Sequence, residues 1–268
     1  MNLYDEIEKI KASGYSEQNA QSKLGQDIVL KAIADSGMAQ NATIKGGVVM
    51  RSISGNARRA TQDLDLDFIK YSISDKSIRK FVEKLDCIDG LSIKINGKIL
   101  ELNHQDYKGK RIFISVTDTE GTIISLKMDL GVHKDLSIEQ DEYAFDVSFQ
   151  EDAVSLLINS PAQMIAEKLK SLLRFGVRST RYKDVYDICY LSEHVNIEQL
   201  KDCIQKYIFD DPTLKNVSDM KALIPRIELM FTNPGYLQEL QKSDKNWLDI
   251  TDEMALAKDL EFIKSITF

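Results

Sequence analysis

The sequence is poor in residues that cross-link a chain or interrupt its regular structure. Its 268 residues include only 3 Cys, 4 Pro, 13 Gly and 1 Trp. The cysteines, Cys87, Cys189 and Cys203, are far apart and show neither CxxC spacing nor a nearby His. This spacing argues against a disulfide framework and against a cysteine-based metal site. We interpret the three as buried free thiols in a reducing compartment.

Long apolar runs and excess positive charge are also lacking. No stretch approaches the roughly 18 consecutive apolar residues of a membrane-spanning helix, and residues 1–15 alternate charged with apolar side chains, unlike a signal peptide. Lys+Arg total 35 against Asp+Glu 42, a net charge of −7, which excludes a protein that coats nucleic acid by bulk charge. With 43% hydrophobic residues the chain is apolar enough to fold. We expect a cytoplasmic protein without a membrane partner.

The sequence pattern differs between two parts of the chain, one typical of strands and one typical of helices. Residues 41–150 show short apolar runs and period-two alternation, broken by turns such as DTEG at 118–121, which predicts a mixed sheet. Residues 17–36 and the region from 160 onward read as helices, and Ser160, Pro161 and Gln163 match the start of a capped helix. A second cap is expected at Thr251. We therefore predict an α+β fold with one domain at 1–155 and a helical domain at 156–268.

The most distinctive segment is DLDLDFI at residues 63–69. On a strand, Asp63, Asp65 and Asp67 would share one face because side chains alternate. Such a row of carboxylates is tolerated in open water, or around a cation such as Mg²⁺ that prefers oxygen ligands. For this segment alone both interpretations stay open.

A second alternating segment, IISLKMDL at 123–130, has an apolar face and a polar face that carries Lys127 and Asp129. It is either an ordinary half-buried strand or the neighbour that brings a third carboxylate to the acidic row. A third segment, Lys45-Gly46-Gly47, precedes a helix-like run. Paired glycines let a backbone approach phosphate at a helix N-terminus, although most such pairs only form turns.

Residues 160–190 form a locally basic region, with six basic and three acidic residues, or +3, in a chain of −7. A capped amphipathic helix at its start would place Gln163, Glu167 and Lys170 opposite its apolar stripe. Basic charge near a metal site suits a polyanionic nucleotide, whereas a solvated helix pair is the simpler alternative.

Five short motifs, taken together, resemble the nucleotidyltransferase AbiEii/AbiGii toxin family. They are KGG at 45–47, R-x-T-x-D-L-D at 59–65, K-x-D at 127–129, Q-x-x-x-E-K at 163–168 and R-x-x-D-x-x-D at 181–187. This family belongs to the DNA polymerase β-like nucleotidyltransferases. The resemblance implies a mixed sheet with flanking helices, a helical C-terminal part, and a toxin that acts beside an antitoxin of the winged-helix transcriptional regulator type. Related toxins transfer nucleotides to tRNA acceptor ends.

Carried over by motif, the resemblance assigns Mg²⁺ or Mn²⁺ to Asp63, Asp65 and Asp129. It assigns triphosphate contact and a catalytic role to Lys168. The residues expected to bind the NTP are Lys45, Gly46, Gly47, Thr61, Lys127, Lys168 and Asp184. Val48 departs from the family, since relatives often have Ser or Thr after the glycines, and the role of Asp67 stays open.

The sequence therefore predicts a Mg²⁺-dependent nucleotidyltransferase toxin of a toxin–antitoxin, abortive-infection system, with a tRNA 3′ end as the acceptor. A protein side chain or a small molecule as acceptor, and a non-catalytic nucleotide-binding protein, are the alternatives. His104, His133 and His194 show no ligand spacing and are expected on the surface or in the core. We expect Trp247, Phe231 and Tyr236 to pack between the C-terminal helices.

Overall fold

The computed structural model describes residues 1–102 and 109–268, so His104 lies outside the described residues. The chain divides into two compact units, residues 1–159 and 160–268. Among the described residues, no helix is both long enough and apolar enough to cross a membrane.

The first unit is built on a mixed sheet with the strand order β3-β4-β5-β2-β1-β7-β6. Its strands are β1 (Ala42–Lys45), β2 (Asp63–Phe68), β3 (Leu91–Leu102), β4 (Gly109–Asp118), β5 (Ile123–Val132), β6 (Asp141–Phe145) and β7 (Val154–Ile158). Its helices are α1 (Leu3–Ala12), α2 (Glu17–Asp35), α3 (Gly46–Ser54) and α4 (Asp75–Leu85). Strand β2 runs antiparallel to β1 and parallel to β5, while β1 and β7 are parallel. The α+β prediction is confirmed.

The expected domain boundary at 155/156 falls inside β7 and not at the end of the first unit. Strand β7 pairs with β1 through Thr43 opposite Leu157 and Ile44 opposite Ile158. These backbone hydrogen bonds make the strand part of the sheet, so the first compact unit extends to residue 159.

Alternation along the central strands separates a packed face from an open face. Leu64, Leu66 and Phe68 of β2 are fully buried, and helix α2 packs on the same side, where Gly25 lies against Leu126. Burial of apolar side chains stabilises this side by about 25 cal/mol for each Å² removed from water. The side chains of Asp63 and Asp65 therefore project to the other face.

The second unit is helical. Its helices are α5 (Pro161–Phe175), α6 (Lys183–Leu191), α7 (Ile197–Ile204), α8 (Met220–Phe231), α9 (Pro234–Lys242) and α10 (Asp252–Ser265). The predicted caps are confirmed, because the Ser160 hydroxyl accepts the Gln163 N–H at 3.2 Å and the Thr251 hydroxyl accepts the Met254 N–H at 3.2 Å. These bonds satisfy N–H groups that a helix start leaves without partners.

Several side chains follow the sequence-based expectations and two depart from them. Trp247, Phe231 and Tyr236 are buried, as predicted; His133 is buried, and the ring of His194 packs on Tyr190. Cys189 and Cys203 are buried free thiols, but Cys87 is exposed, so the prediction of three buried thiols is wrong for Cys87. Gln163 is also buried instead of solvated, and its side-chain amide donates to Glu167 at 2.9 Å.

Candidate active site

The acidic segment lies at the centre of the sheet, on its open face. Strand β2 lies between β1 and β5, and the parallel register sets Asp65 opposite Asp129 and Asp63 opposite Lys127. On the other side, Lys45 of β1 lies opposite Asp65. Residues from three separate sequence segments thus share one small area of the first unit.

Cations on neighbouring strands neutralise this acidic row. Lys127 Nζ lies 2.7 Å from Asp63 Oδ1, and Lys45 Nζ lies 2.7 Å from Asp67 Oδ1. Charge-assisted pairs of this kind offset the repulsion that same-face carboxylates would otherwise have. Asp67, whose role the sequence left open, is buried in its pair with Lys45.

Arg111 of β4 is the cation of the site that the sequence reasoning missed. Its Nε and Nη2 donate to the two carboxylate oxygens of Asp129 at 2.7 and 2.8 Å, a bidentate pair. Hydrogen bonding to Asp129, followed by the charges of Asp129, Asp63 and Asp65, raises the pKa of the Arg111 guanidinium. The detectable signal was the hairpin turn at 118–121, since the β4–β5 register sets Arg111 opposite Asp129.

The two glycines are required by close side chains. A Cβ on Gly46 would collide with the Asp65 carboxylate, and one on Gly47 would lie 2.7 Å from Thr61 Oγ1. Gly46 also has φ of 68°, which L-residues with side chains rarely adopt. Helix α3 begins at Gly46, so its N-terminus is held against Asp65. Val48, which follows the two glycines, is fully buried in the core.

A buried polar brace supports the acidic strand from α2. The Gln26 amide donates to the carbonyl oxygens of Thr61 and Asp63 at 3.0 and 3.3 Å. Arg51 of α3 donates to the Gln26 side-chain oxygen, and its other nitrogen lies 3.3 Å from the buried Asp27. These bonds fix the start of β2, and the sequence reasoning overlooked them because they join residues far apart in the chain.

In the second unit, the predicted site residues Lys168 and Asp184 contact each other. Lys168 Nζ lies 2.9 Å from Asp184 and 2.6 Å from Asp187. Asp184 also accepts from Arg181 at 2.9 Å, and Asp187 accepts the Trp247 indole N–H at 3.0 Å. The side chains of Lys168, Asp184 and Asp187 are mostly buried.

The same unit holds a carboxyl group without a partner. Both oxygens of Asp259, on α10, are buried and accept no hydrogen bond. Burial, and then the charge of Asp187, raise the pKa of Asp259 well above its ordinary value. The locally basic region predicted for 160–190 is thus partly neutralised, since Lys168 and Arg181 pair with acids and Lys170 pairs with Asp211.

The donor chemistry of the acidic row fits Mg²⁺ or Mn²⁺, although the oxygens are not gathered around one point. In the described residues, no group of three or more His, Cys, Asp or Glu side chains is arranged to hold a metal ion. Asp63 and Asp129 instead face Lys127 and Arg111. Carboxylate oxygens are the ligands these metals prefer, so binding would require the ion pairs to open.

Comparison with protein families assigns the chain to the nucleotidyltransferases. The family model described as "Nucleotidyl transferase AbiEii toxin, Type IV TA system" matches residues 28–263. The chain therefore belongs to the AbiEii nucleotidyltransferase toxin family of type IV toxin–antitoxin systems, which confirms the resemblance seen in the sequence. Membership implies an NTP substrate and an antitoxin partner.

Comparison with other proteins adds little beyond the family. A crystal structure of an antigenic nucleotidyltransferase-like protein from Paracoccidioides brasiliensis is 16% identical over 73% of this chain and 92% of that chain, with a TM-score of 0.38. None of the curated proteins matches the chain.

Proposed function

We propose that this protein is a Mg²⁺-dependent toxin that transfers a nucleoside monophosphate from an NTP to the 3′-terminal hydroxyl of tRNA in the cytoplasm. The observation that carries the proposal is the placement of Asp63, Asp65 and Asp129 on one face of two adjacent strands, against the N-terminus of α3. Carboxylates for a cation and a helix N-terminus for phosphate are the two features that metal–nucleotide chemistry needs.

Residues of the first unit bind the metal ion and the phosphates. Asp63, Asp65 and Asp129 would hold Mg²⁺ or Mn²⁺, which when bound neutralises phosphate charge and orients the α-phosphate. The N–H groups of Gly46 and Gly47 bind the phosphates, because the N-cap residue, Lys45, makes no side-chain capping bond to them.

Other residues of the site hold the nucleotide and the acceptor. Lys127 and Lys45 supply positive charge, and Thr61 lies beside Gly47 to orient the phosphates. Asp129 orients the acceptor hydroxyl and accepts its proton. Lys168 and Asp184 of the second unit are proposed, from their motifs, as further nucleotide contacts.

The acceptor hydroxyl attacks the α-phosphorus, one P–O bond forms to it, and the bond to pyrophosphate breaks. Positioning and charge neutralisation supply most of the acceleration in chemistry of this kind. The tRNA acceptor and an antitoxin of the winged-helix regulator type are the specific form of this proposal. A protein or small-molecule acceptor, or binding without turnover, would appear as distinct outcomes of one assay.

The experiment incubates the purified chain with each α-³²P-labelled NTP, Mg²⁺ and total RNA, and resolves the products on a denaturing gel. We expect label in the tRNA band, and no label when EDTA is present during the incubation. Label that survives RNase digestion would identify a different acceptor, and absence of label with every NTP would refute the transfer.

The variant that tests the metal site is Asp65→Asn, which keeps the shape of the side chain and removes its charge. We expect activity to fall by about a thousandfold or more, since a lost metal ligand costs several kcal/mol in the transition state. The melting temperature should stay close to wild type, because Asp65 is only half-buried. Retained activity in this variant would contradict the proposed metal site.

A further inference from the structure

Arg111 is a charged residue of the site that none of the family motifs contains. Its guanidinium occupies both oxygens of Asp129, at 2.7 and 2.8 Å. About one third of the Arg111 side chain is exposed, whereas the Asp129 side chain is 14% exposed. The guanidinium hydrogen-bonds to Asp129 and interacts with the charges of Asp63 and Asp65. Because the Arg111 side chain is partly exposed, it can leave Asp129 for another anion without unfolding the strand.

The charges of the face add to nearly zero without a metal. Three cations, Lys45, Arg111 and Lys127, stand with four acids, Asp63, Asp65, Asp67 and Asp129, so the sum is 3 − 4 = −1. A dication among these acids would meet Arg111 and Lys127 at close range. A metal ion alone therefore binds against two resident positive charges.

A nucleoside triphosphate changes the balance of charge on this face. It brings several negative charges, and the planar fork of a guanidinium matches phosphate oxygens as well as it matches a carboxylate. When the Arg111 guanidinium leaves Asp129, the phosphate oxygens of the nucleotide offer it an equivalent partner on the same open face. Metal and nucleotide favour each other's binding because each removes the charge that opposes the other.

We propose that Arg111 is the resident counter-ion of Asp129, which it releases to the incoming metal while its guanidinium passes to the phosphates of the nucleotide. Arg111 is thereby a nucleotide-binding residue that also keeps free metal out of the site. This inference rests on the proposed nucleotidyl transfer, for which it defines how metal and NTP enter together.

The test is the affinity of the full chain for Mn²⁺, measured without nucleotide from the EPR signal of the free ion. We expect Arg111→Gln to bind Mn²⁺ about tenfold more tightly than wild type, because a repelling charge is gone. Lys110→Gln is the matched control, since it removes one positive charge from the adjacent position of β4. Lys110 pairs with Asp75 and Glu101 and not with the acids of the site. The Mn²⁺ affinity of this variant should equal that of wild type.

The nucleotide arm uses the same variants. Arg111→Gln should raise the KM for NTP by about tenfold, and Arg111→Lys, which keeps charge but loses the fork, should shift both Mn²⁺ affinity and KM by about threefold in the same directions. Unchanged or weaker Mn²⁺ binding in either folded variant would overturn the inference and leave Arg111 as a residue that positions Asp129. If Arg111→Gln does not fold, Arg111→Lys decides.

The two proposals fail separately. Wild type that transfers no nucleotide would refute the proposed function, while the Mn²⁺ titration would still report whether Arg111 opposes metal. Active wild type with Mn²⁺ affinity unaffected by Arg111→Gln would refute only the inference.

Discussion

The two units hold clustered charges in opposite ways. On the sheet face of the first unit, three ion pairs each join one acid to one cation on a neighbouring strand. The side chains of Lys127 and Asp63 are 29% and 36% exposed, whereas Asp67 is buried against Lys45. In the second unit Lys168 serves two acids at once, and the side chain of Asp187 is fully buried.

The difference teaches which pairs a protein can open. A partly exposed pair contributes little free energy because water competes for both partners. A buried pair cannot be separated without leaving a desolvated charge behind. The partly exposed pair of Lys127 and Asp63 is therefore suited to open for a metal and a nucleotide. Lys168 would have to leave two mostly buried acids, Asp184 and Asp187, before it could contact a nucleotide.

The sharpest test of this contrast compares two lysines. We expect Lys168→Met to lower the free energy of unfolding by about 3–5 kcal/mol, since Asp184 and Asp187 lose a buried partner. Lys127→Met should lower it by about 1 kcal/mol or less, because its pair is solvated. Urea denaturation of both variants measures the two values, and equal losses would break the comparison.

A second test uses pH and Asp259. Its raised pKa means that the folded state keeps a proton which the unfolded chain releases above about pH 4. Stability from this group is complete below pH 4 and falls by about 1.4 kcal/mol for each pH unit until the folded-state pKa is reached.

We expect Asp259→Asn to remove this slope. The variant should gain stability relative to wild type from pH 4.5 to pH 7, in thermal melts at matched ionic strength. The groups that interact electrostatically with Asp259 are Asp187, Tyr236 and Cys189. A difference between variant and wild type that does not change with pH would show that Asp259 ionises freely in the folded protein.

The smallest expected effect separates close contact from backbone strain. Gly46 and Gly55 bound the same helix, with φ of 68° and 62°, but only Gly46 faces a colliding side chain, Asp65. Gly55→Ala should cost about 1 kcal/mol from strain alone and leave transfer activity unchanged.

Gly46→Ala should cost about 1 kcal/mol more and also displace Asp65, so activity falls with stability. Melting temperatures and the transfer assay give both values. Equal activity in the two variants would mean that the contact between Gly46 and Asp65 does not position the carboxylate.

Much of the acidic face could be predicted from local pattern. Alternation at 63–68 and 123–130 was enough to put Asp63, Asp65 and Asp129 on polar faces, and the caps at Ser160 and Thr251 follow from short-range hydrogen bonds. Register was not available from the sequence, because strands β2 and β5 are separated by more than 50 residues and pair in parallel. The contacts of Gln26 and Arg51 with this region also join residues far apart in the chain, and they were missed for the same reason. Arg111 could have been found from the hairpin turn at 118–121, which sets it opposite Asp129.

The sequence by itself determined the family, the apolar and polar faces of the strands, and the types of residue at the site. Side-chain periodicity and motif spacing are local properties, and they are legible without coordinates. Only the tertiary structure decided which cation neutralises which acid, that Gly46 is dictated by Asp65, and that Lys168 lies between two buried carboxylates. Those are properties of neighbours in space, and the free energy of a charge depends on its distance from other charges and from water.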